Sequence, residues 1–372
     1  MKKITYLILL LSLSISATAQ DRKLILVTID GLRWQEVFQG IQPDIANNTK
    51  YTPNKTPLIK ELETLPANKA KQKLMPFLWQ TIAEQGVIIG NRNKGSVMSV
   101  SNRWNFSYPG YSEIFTGVTN PKLNSNAKVN NPEISFLEWL QNHRNYKNVA
   151  VFGGWDVFPY ILNTQRSRLH VNAGFASEKG TSAKLKLLNQ LQTQIPSPWT
   201  TVRLDAFTHH YALEHLKTHK PKVMAISYGE TDDFAHDGRY DHYISATRRT
   251  DNFIKDLWQQ LQSLPEYKNN TNILIVTDHG RGSAARDWMH HASKASLSGY
   301  MKKLKPEFPQ GIVGSEHIWM AAIGPDIKSI GDMPTAKELK QNQIAATALT
   351  LLNESFKAFN PKAGKPILEI IK

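Results

Sequence analysis

Residues Ile273–Gly280 read Ile-Leu-Ile-Val-Thr-Asp-His-Gly, and this run limits the possible folds more than any other stretch of the chain. An unbroken β-branched apolar segment of this length predicts a strand covered on both faces, as in a parallel sheet flanked by helices. The run stops abruptly at a carboxylate, an imidazole and a turn-forming glycine. Ligands of open α/β sheets gather just beyond the carboxyl ends of the strands. Asp278-His279 is therefore a candidate metal-binding or catalytic pair, with a capping Asp beside a surface His as the plainer alternative.

The remaining pattern agrees with an α/β class. Lys23–Ile29 is a second buried-strand run and ends at Asp30-Gly31. Shorter strands are expected at 87–89, 96–101 and 148–152, then at Val223–Ser227 and at His317–Ile323. Helical periodicity marks Met75–Gln85, Ile134–Gln141, Val202–Leu216, Tyr240–Leu261 and Lys337–Leu352. Strands alternating with helices predict a three-layer sandwich, with a central mostly parallel sheet between helical layers. Loop or cap insertions are expected near 169–200 and 281–314, where the periodicity fades.

At 372 residues the chain has room for a large core. Lys2-Lys3, an apolar run from Ile4 to Ile15 and Ala17-Thr18-Ala19 form the pattern of a secretory leader over residues 1–19. This predicts a periplasmic or secreted protein whose mature chain, residues 20–372, forms one domain. No stretch after the leader is long and apolar enough for a membrane span. With no cysteine in the chain, disulfides, thiolate ligands and a Cys nucleophile are excluded. The net charge of +14, or +12 once Lys2 and Lys3 leave with the leader, favours anionic substrates or anionic surfaces, and the scatter of the positive charges disfavours specific nucleic-acid binding. The oligomeric state is not legible.

Three expected strand ends carry acids or imidazoles: Asp30; Asp232 with His236; and Asp278 with His279. His317 sits at the start of a strand, and would join the others on one rim if that strand ran antiparallel or followed a loop crossing the rim. Three Asp and three His suit two borderline divalent ions, zinc or manganese. Two such ions about 4 Å apart can clamp a phosphoryl group. Ser107, placed by Pro109 and Gly117 at or just before a helix N-terminus, is the candidate nucleophile, with a simple N-cap as its structural alternative. Adjacent side chains diverge, so His290-His291 is not assigned to a metal. The histidines between His209 and His219 are expected on a helix surface.

In chain order, Ser107-Tyr108-Pro109 with Thr116-Gly117, Asp232-Asp233-Phe234-Ala235-His236, Thr277–Gly280 and Gly314-Ser315-Glu316-His317 make a combined pattern. It resembles the alkaline phosphatase superfamily, and most closely its type I phosphodiesterase and nucleotide pyrophosphatase branch. The resemblance runs from Lys23 to about Asn353. It implies an exported metal-dependent phosphate-ester hydrolase in which Ser107 is the nucleophile. One ion would be held by Asp30, Asp278 and His279 together with the Ser107 oxygen, and the other by Asp232, His236 and His317. Departures from the pattern are Ser for the Thr usual in diesterases, Gly110-Tyr111 for Asn-His, and Ala235 for Gly. Tyr111 stands where a sulfatase would carry Arg. Substrate-binding candidates are Arg103, Asn126, Asn130, Asn131 and Trp155, with Phe158 near a leaving-group pocket. An alkaline phosphomonoesterase is the alternative; a sulfatase, a phosphotransferase and a non-catalytic anion- or metal-binding module are further ones.

Overall fold

A computed structural model describes residues 22–372. The expected leader lies outside the described residues. The described residues form eleven strands: β1 (Lys23–Ile29), β2 (Gly86–Ile89), β3 (Met98–Ser99), β4 (Ala150–Gly153), β5 (His170–Ala173), β6 (Val223–Tyr228), β7 (Thr271–Thr277), β8 (His317–Ile318), β9 (Met320–Ile323), β10 (Gly331–Asp332) and β11 (Leu339–Lys340). Eight of them form one sheet in the order β10-β2-β9-β7-β1-β6-β4-β5, and β11-β3-β8 form a small second sheet. In the large sheet only β9 runs against the other strands. The expected mixed α/β architecture, with a mostly parallel central sheet, is thus the fold observed.

Strand periodicity sorts the side chains between two cores. Ile25, Val27 and Ile29 of β1, with Ile273 and Ile275 of β7, face one core. Leu24 and Leu26, with Leu274 and Val276, face the other. The first core is covered by helices Asp205–His219 and Tyr240–Ser263, the second by Ser107–Thr116, Phe136–His143 and Ile344–Leu351. Ile273 through Val276 are fully buried, each stabilising the fold by about 1.5–3 kcal/mol relative to exposure. Burial on both faces is what the unbroken apolar run required.

Several sequence expectations are modified, among them the helix expected over Lys337–Leu352, which is strand β11 followed by helix Ile344–Leu351. Residues 169–200, expected as an irregular insertion, contribute β5 to the sheet edge and then helix Ala183–Gln194, capped by the Ser182 side chain. Lys and Gln at the solvent-facing positions of that helix weakened its apolar signal. The strand expected at His317–Ile323 divides between the small and the large sheet at Trp319. Its antiparallel direction carries residue 317 to the rim where the parallel strands end. No helix among the described residues is long and apolar enough to cross a membrane.

Candidate active site

The site is assembled by register. β1 lies between β7 and β6, with Ile29 opposite both Thr277 and Tyr228. One residue later, Asp30 and Asp278 leave adjacent strand ends side by side, although 248 positions separate them in the chain. The Thr277 hydroxyl donates to the Ile29 carbonyl at 2.8 Å, and Gly31 N–H donates to Asp278 Oδ1 at 3.0 Å. These bonds lock the two ends together. Beyond β6, helix Glu230–His236 carries Asp232 and His236 at i and i+4, on one face.

Ser107 is the first residue of helix Ser107–Thr116. The N-cap residue is Phe106, so the capping alternative for Ser107 is not the one adopted. Ser107 Oγ instead lies 3.3 Å from His279 Nε2. The helix reaches the strand end closely because residue 110 is glycine: a Cβ there would stand 2.4 Å from the Asp278 carbonyl oxygen. One turn on, the Tyr111 hydroxyl donates to Asp30 Oδ2 at 3.0 Å and accepts from Ser227 Oγ at 3.1 Å. The residue that stands in place of the sulfatase Arg therefore orients a carboxylate.

His279 Nε2 is the hub of this cluster. It lies 3.3 Å from Asp30 Oδ1, 3.5 Å from Asp278 Oδ2 and 3.7 Å from Asp232 Oδ1. Its Nδ1 meets the Gly280 carbonyl at 2.8 Å, which fixes the ring with Nε2 toward the carboxylates. Asp30 Oδ1 and Asp278 Oδ2 are buried without a hydrogen-bond partner among the described residues. Two orphaned carboxylate oxygens converging on one imidazole nitrogen are a donor set that fits a divalent cation, since buried carboxylates otherwise require pairing.

The electrostatics describe the same excess of negative charge. Burial pushes the Asp278 carboxyl well above the usual range, and Asp30 adds to the shift. Burial and the neighbouring Asp232 raise Asp30 as well. Burial would lower His279, but Asp278, Asp30 and Asp232 together lift it to about 9. Burial would raise Asp232 too; His236 and Arg281 hold its carboxyl well below the ordinary value.

In the second cluster His291 stands where His317 was expected. Asp232 and His236 converge with His291, their ligand atoms all within 4.8 Å of one another. His236 Nε2 is 3.1 Å from Asp232 Oδ2 and 3.0 Å from His291 Nε2. The His291 ring stacks on His279 with centroids 3.8 Å apart, and its Nδ1 donates to the Asn105 carbonyl at 3.0 Å, so Nε2 faces the cluster. His317 reaches the rim only with its backbone: its carbonyl oxygen would lie 2.3 Å from a Cβ on Gly280. Its imidazole turns to Glu316 at 3.1 Å and belongs to neither cluster. The expectation that the 290–291 pair serves no metal is revised at His291, which enters the cluster, while both residues border the same cavity. His290 faces the Phe308 ring, which leaves His291 free to point inward.

Arg281, which the sequence reading passed over, is fully buried and pairs with Asp232, while its Nε donates to the Trp288 carbonyl at 3.1 Å. Its place three residues after Asp278 was the available signal, since an Arg directly beyond a strand end enters the rim. Arg33, equally buried, donates to the Gly282 carbonyl at 2.8 Å and pairs with Glu36, tying the segment after β1 to the loop after β7.

A cavity of about 750 Å³ opens over the two clusters. Asp30, Ser107, Asp232, His236 and His291 line its floor, with Trp155, Tyr300, Met301 and Leu304 on its walls. Of the substrate-binding candidates, Trp155 and Asn126 line this cavity. Asn126 Oδ1 accepts the Tyr108 N–H at 3.0 Å. Asn130 instead bonds Gln165, and Asn131 is buried against Ser112 Oγ. Arg103 lies over the Trp104 ring and lines a separate depression. Phe158 packs edge-on against Tyr111 in the core. The loop 281–314 supplies both a cluster ligand candidate, His291, and the cavity wall.

No curated protein matches the sequence. Several solved structures share the fold at low identity. The alkaline phosphatase PafA superposes with a TM-score of 0.56 at 10% identity, over 94% of this chain and 99% of its own. The phosphonate monoester hydrolase SpPMH from Silicibacter pomeroyi gives 0.54 at 13%, over 93% and 76%. The 2-O GAG sulfatase BT1596 gives 0.54 at 14%, over 94% and 74%. The sequence model of one family, type I phosphodiesterase / nucleotide pyrophosphatase, matches residues 44–326. With Ser107, Asp232, His236, Asp278 and His279 inside that span, the chain belongs to the type I phosphodiesterase / nucleotide pyrophosphatase family, a family of phosphate-ester hydrolases.

Proposed function

We propose that the protein is an exported, metal-dependent phosphodiesterase that uses Ser107 as its nucleophile, with residues 20–372 acting as one catalytic domain after removal of the leader. The observation that carries this reading is the position of Ser107 Oγ beside His279 Nε2, at a helix start and next to the orphaned oxygens of Asp30 and Asp278. Asp30, Asp278, His279 and Ser107 would hold one divalent ion, and Asp232, His236 and His291 the other. Zinc suits this mixture of imidazole and carboxylate, and manganese is the alternative. When bound, such ions lower the pKa of the serine hydroxyl and neutralise charge that develops on the phosphoryl oxygens.

In the proposed reaction Ser107 Oγ forms a bond to phosphorus as the bond to the leaving alcohol breaks. Water then attacks the phosphoseryl group, returning the hydroxyl to Ser107 and releasing the phosphomonoester. Tyr111 and Gly31 hold the carboxylates in place through these steps, so little reorganisation is needed as charge moves. The N-terminal end of helix Ser107–Thr116 offers a favourable potential for the anionic group. A cavity of about 750 Å³, walled by Trp155, Tyr300, Met301 and Leu304 together with Lys128 and Lys303, has room for two organic substituents, which favours a diester over a monoester.

Turnover of aryl phosphate diesters, monoesters and sulfate esters by metal-replete protein tests the reading. Diesters are expected to turn over fastest, with loss on chelation and recovery with zinc. Ser107→Ala should lower kcat/KM by at least ~10³-fold while the fold persists. Unchanged activity after chelation or in S107A would refute the mechanism. Preference for monoesters would favour a phosphomonoesterase, preference for sulfate esters a sulfatase, transfer to added alcohol a phosphotransferase, and binding without turnover a non-catalytic module.

A further inference from the structure

We propose that the chain carries a separate structural site for a borderline divalent cation, zinc being the best match, formed by His170, Glu178 and His215 at the sheet edge remote from the catalytic rim. His170 opens β5, the outermost strand, Glu178 lies in the loop that follows, and His215 projects from helix Asp205–His219. One ligand atom from each lies within 4.8 Å of the other two. His170 Nε2 stands 3.1 Å from Glu178 Oε2. Tetrahedral zinc with ligand bonds near 2.1 Å places neighbouring donors about 3.4 Å apart, and in-plane coordination by both imidazoles requires the half-exposed His170 ring to turn out of its stack with His215.

His215 supplies the independent observation. It is 6% exposed, and neither ring nitrogen has a hydrogen-bond partner among the described residues. A buried imidazole that satisfies neither nitrogen costs stability unless something else occupies a lone pair. The ring is stacked between His170, at 4.7 Å, and His219, at 4.2 Å. Imidazoles with a single carboxylate select a borderline ion over magnesium or calcium. His170 is half exposed beside a cavity of about 470 Å³ that also reaches Glu178, His215 and His219, which gives an ion a path from solvent.

A cation here would tie the sheet edge and the loop behind it to the helix that covers one core. Its role would be stability, so the substitutions that remove it spare the catalytic residues. The test is equilibrium dialysis of the full-length mature protein against zinc, comparing wild type with His170→Ala and Glu178→Gln. His170 is exposed enough that its truncation leaves the core intact, and the second variant checks the first. Wild type should bind one more equivalent of zinc than either variant, the variants should bind that ion at least ~100-fold more weakly, and zinc should raise the melting temperature further in wild type. Diester turnover should stay within about twofold, because the site lies outside the catalytic rim. Equal zinc stoichiometry in all three proteins would overturn the proposal and leave His170 and Glu178 as a plain hydrogen-bonded pair. The comparison reads a difference of one ion, so it does not depend on how many ions the catalytic rim takes.

Discussion

At the scale of single residues, the decisive contrast is between His291 and His317. Both sit on the loop side of β9, and only His291 presents Nε2 to Asp232 and His236. His291→Ala should remove one ion and lower kcat/KM by more than the ~10–100-fold that loss of an outer-shell partner costs. His317→Ala should change turnover by no more than a few-fold. Metal analysis alongside kinetics checks both, and the reverse order of effects would restore His317 as the ligand. The residues at strand ends were legible because an apolar run that stops at an acid declares its own chemistry. Asp30, Asp232, Asp278 and His279 all fall in that class. His291 was not legible, since it lies in an irregular loop where no periodicity says which way a side chain points. The roles of Arg281 and Tyr111 in holding carboxylates were not legible for a related reason: they depend on who is adjacent in space.

Among the elements, helix Ser107–Thr116 and helix Asp205–His219 each make a testable demand. The first approaches the end of β7 so closely that Gly110→Ala would drive a methyl group into the Asp278 carbonyl oxygen. This substitution should destabilise the protein by about 1–3 kcal/mol, as overpacking does, and reduce turnover by shifting Ser107; denaturant unfolding and kinetics measure the two effects. The second helix was expected to show its histidines to solvent, yet His209 is 1% exposed and His215 6%. Burial lowers His209 to about 4 against an ordinary 6.5, despite the carboxylate of Asp256 at 3.1 Å. The folded ring holds its proton more weakly than the unfolded one. Its contribution is therefore complete above pH 6.5 and is lost as pH falls toward 4, by about 3 kcal/mol at most. Thermal unfolding between pH 7 and pH 4 should show a steeper loss in wild type than in His209→Gln. The helix carries almost no net amphipathic signal because polar residues such as His209 and Thr208 occupy buried positions, which is why the expectation failed there.

For the whole molecule, the two-faced sheet does the organising. Alternation within β1, β6 and β7 loads two separate cores, and the shared direction of those strands brings Asp30, Asp232 and Asp278 to one edge. This much could be read from the buried-strand runs and their terminal acids, because parallel strands must end together. The edge strand β5 and the cation-site residues could not, since pairing partners at a sheet margin leave only a weak trace in the sequence. The net charge, +14 for the whole chain and +12 once Lys2 and Lys3 leave with the leader, adds a further expectation: kcat/KM for an anionic diester should fall several-fold as ionic strength rises from about 20 to 500 mM, through screening of attraction to the substrate. A flat salt response would show that the charge does not steer encounter. The central claim, that Ser107 takes the phosphoryl group before water does, is tested most directly by the stereochemistry at phosphorus when a chiral phosphorothioate diester is hydrolysed in isotopically labelled water. Two successive in-line displacements predict net retention, whereas inversion would mean that water attacks directly and would contradict the account.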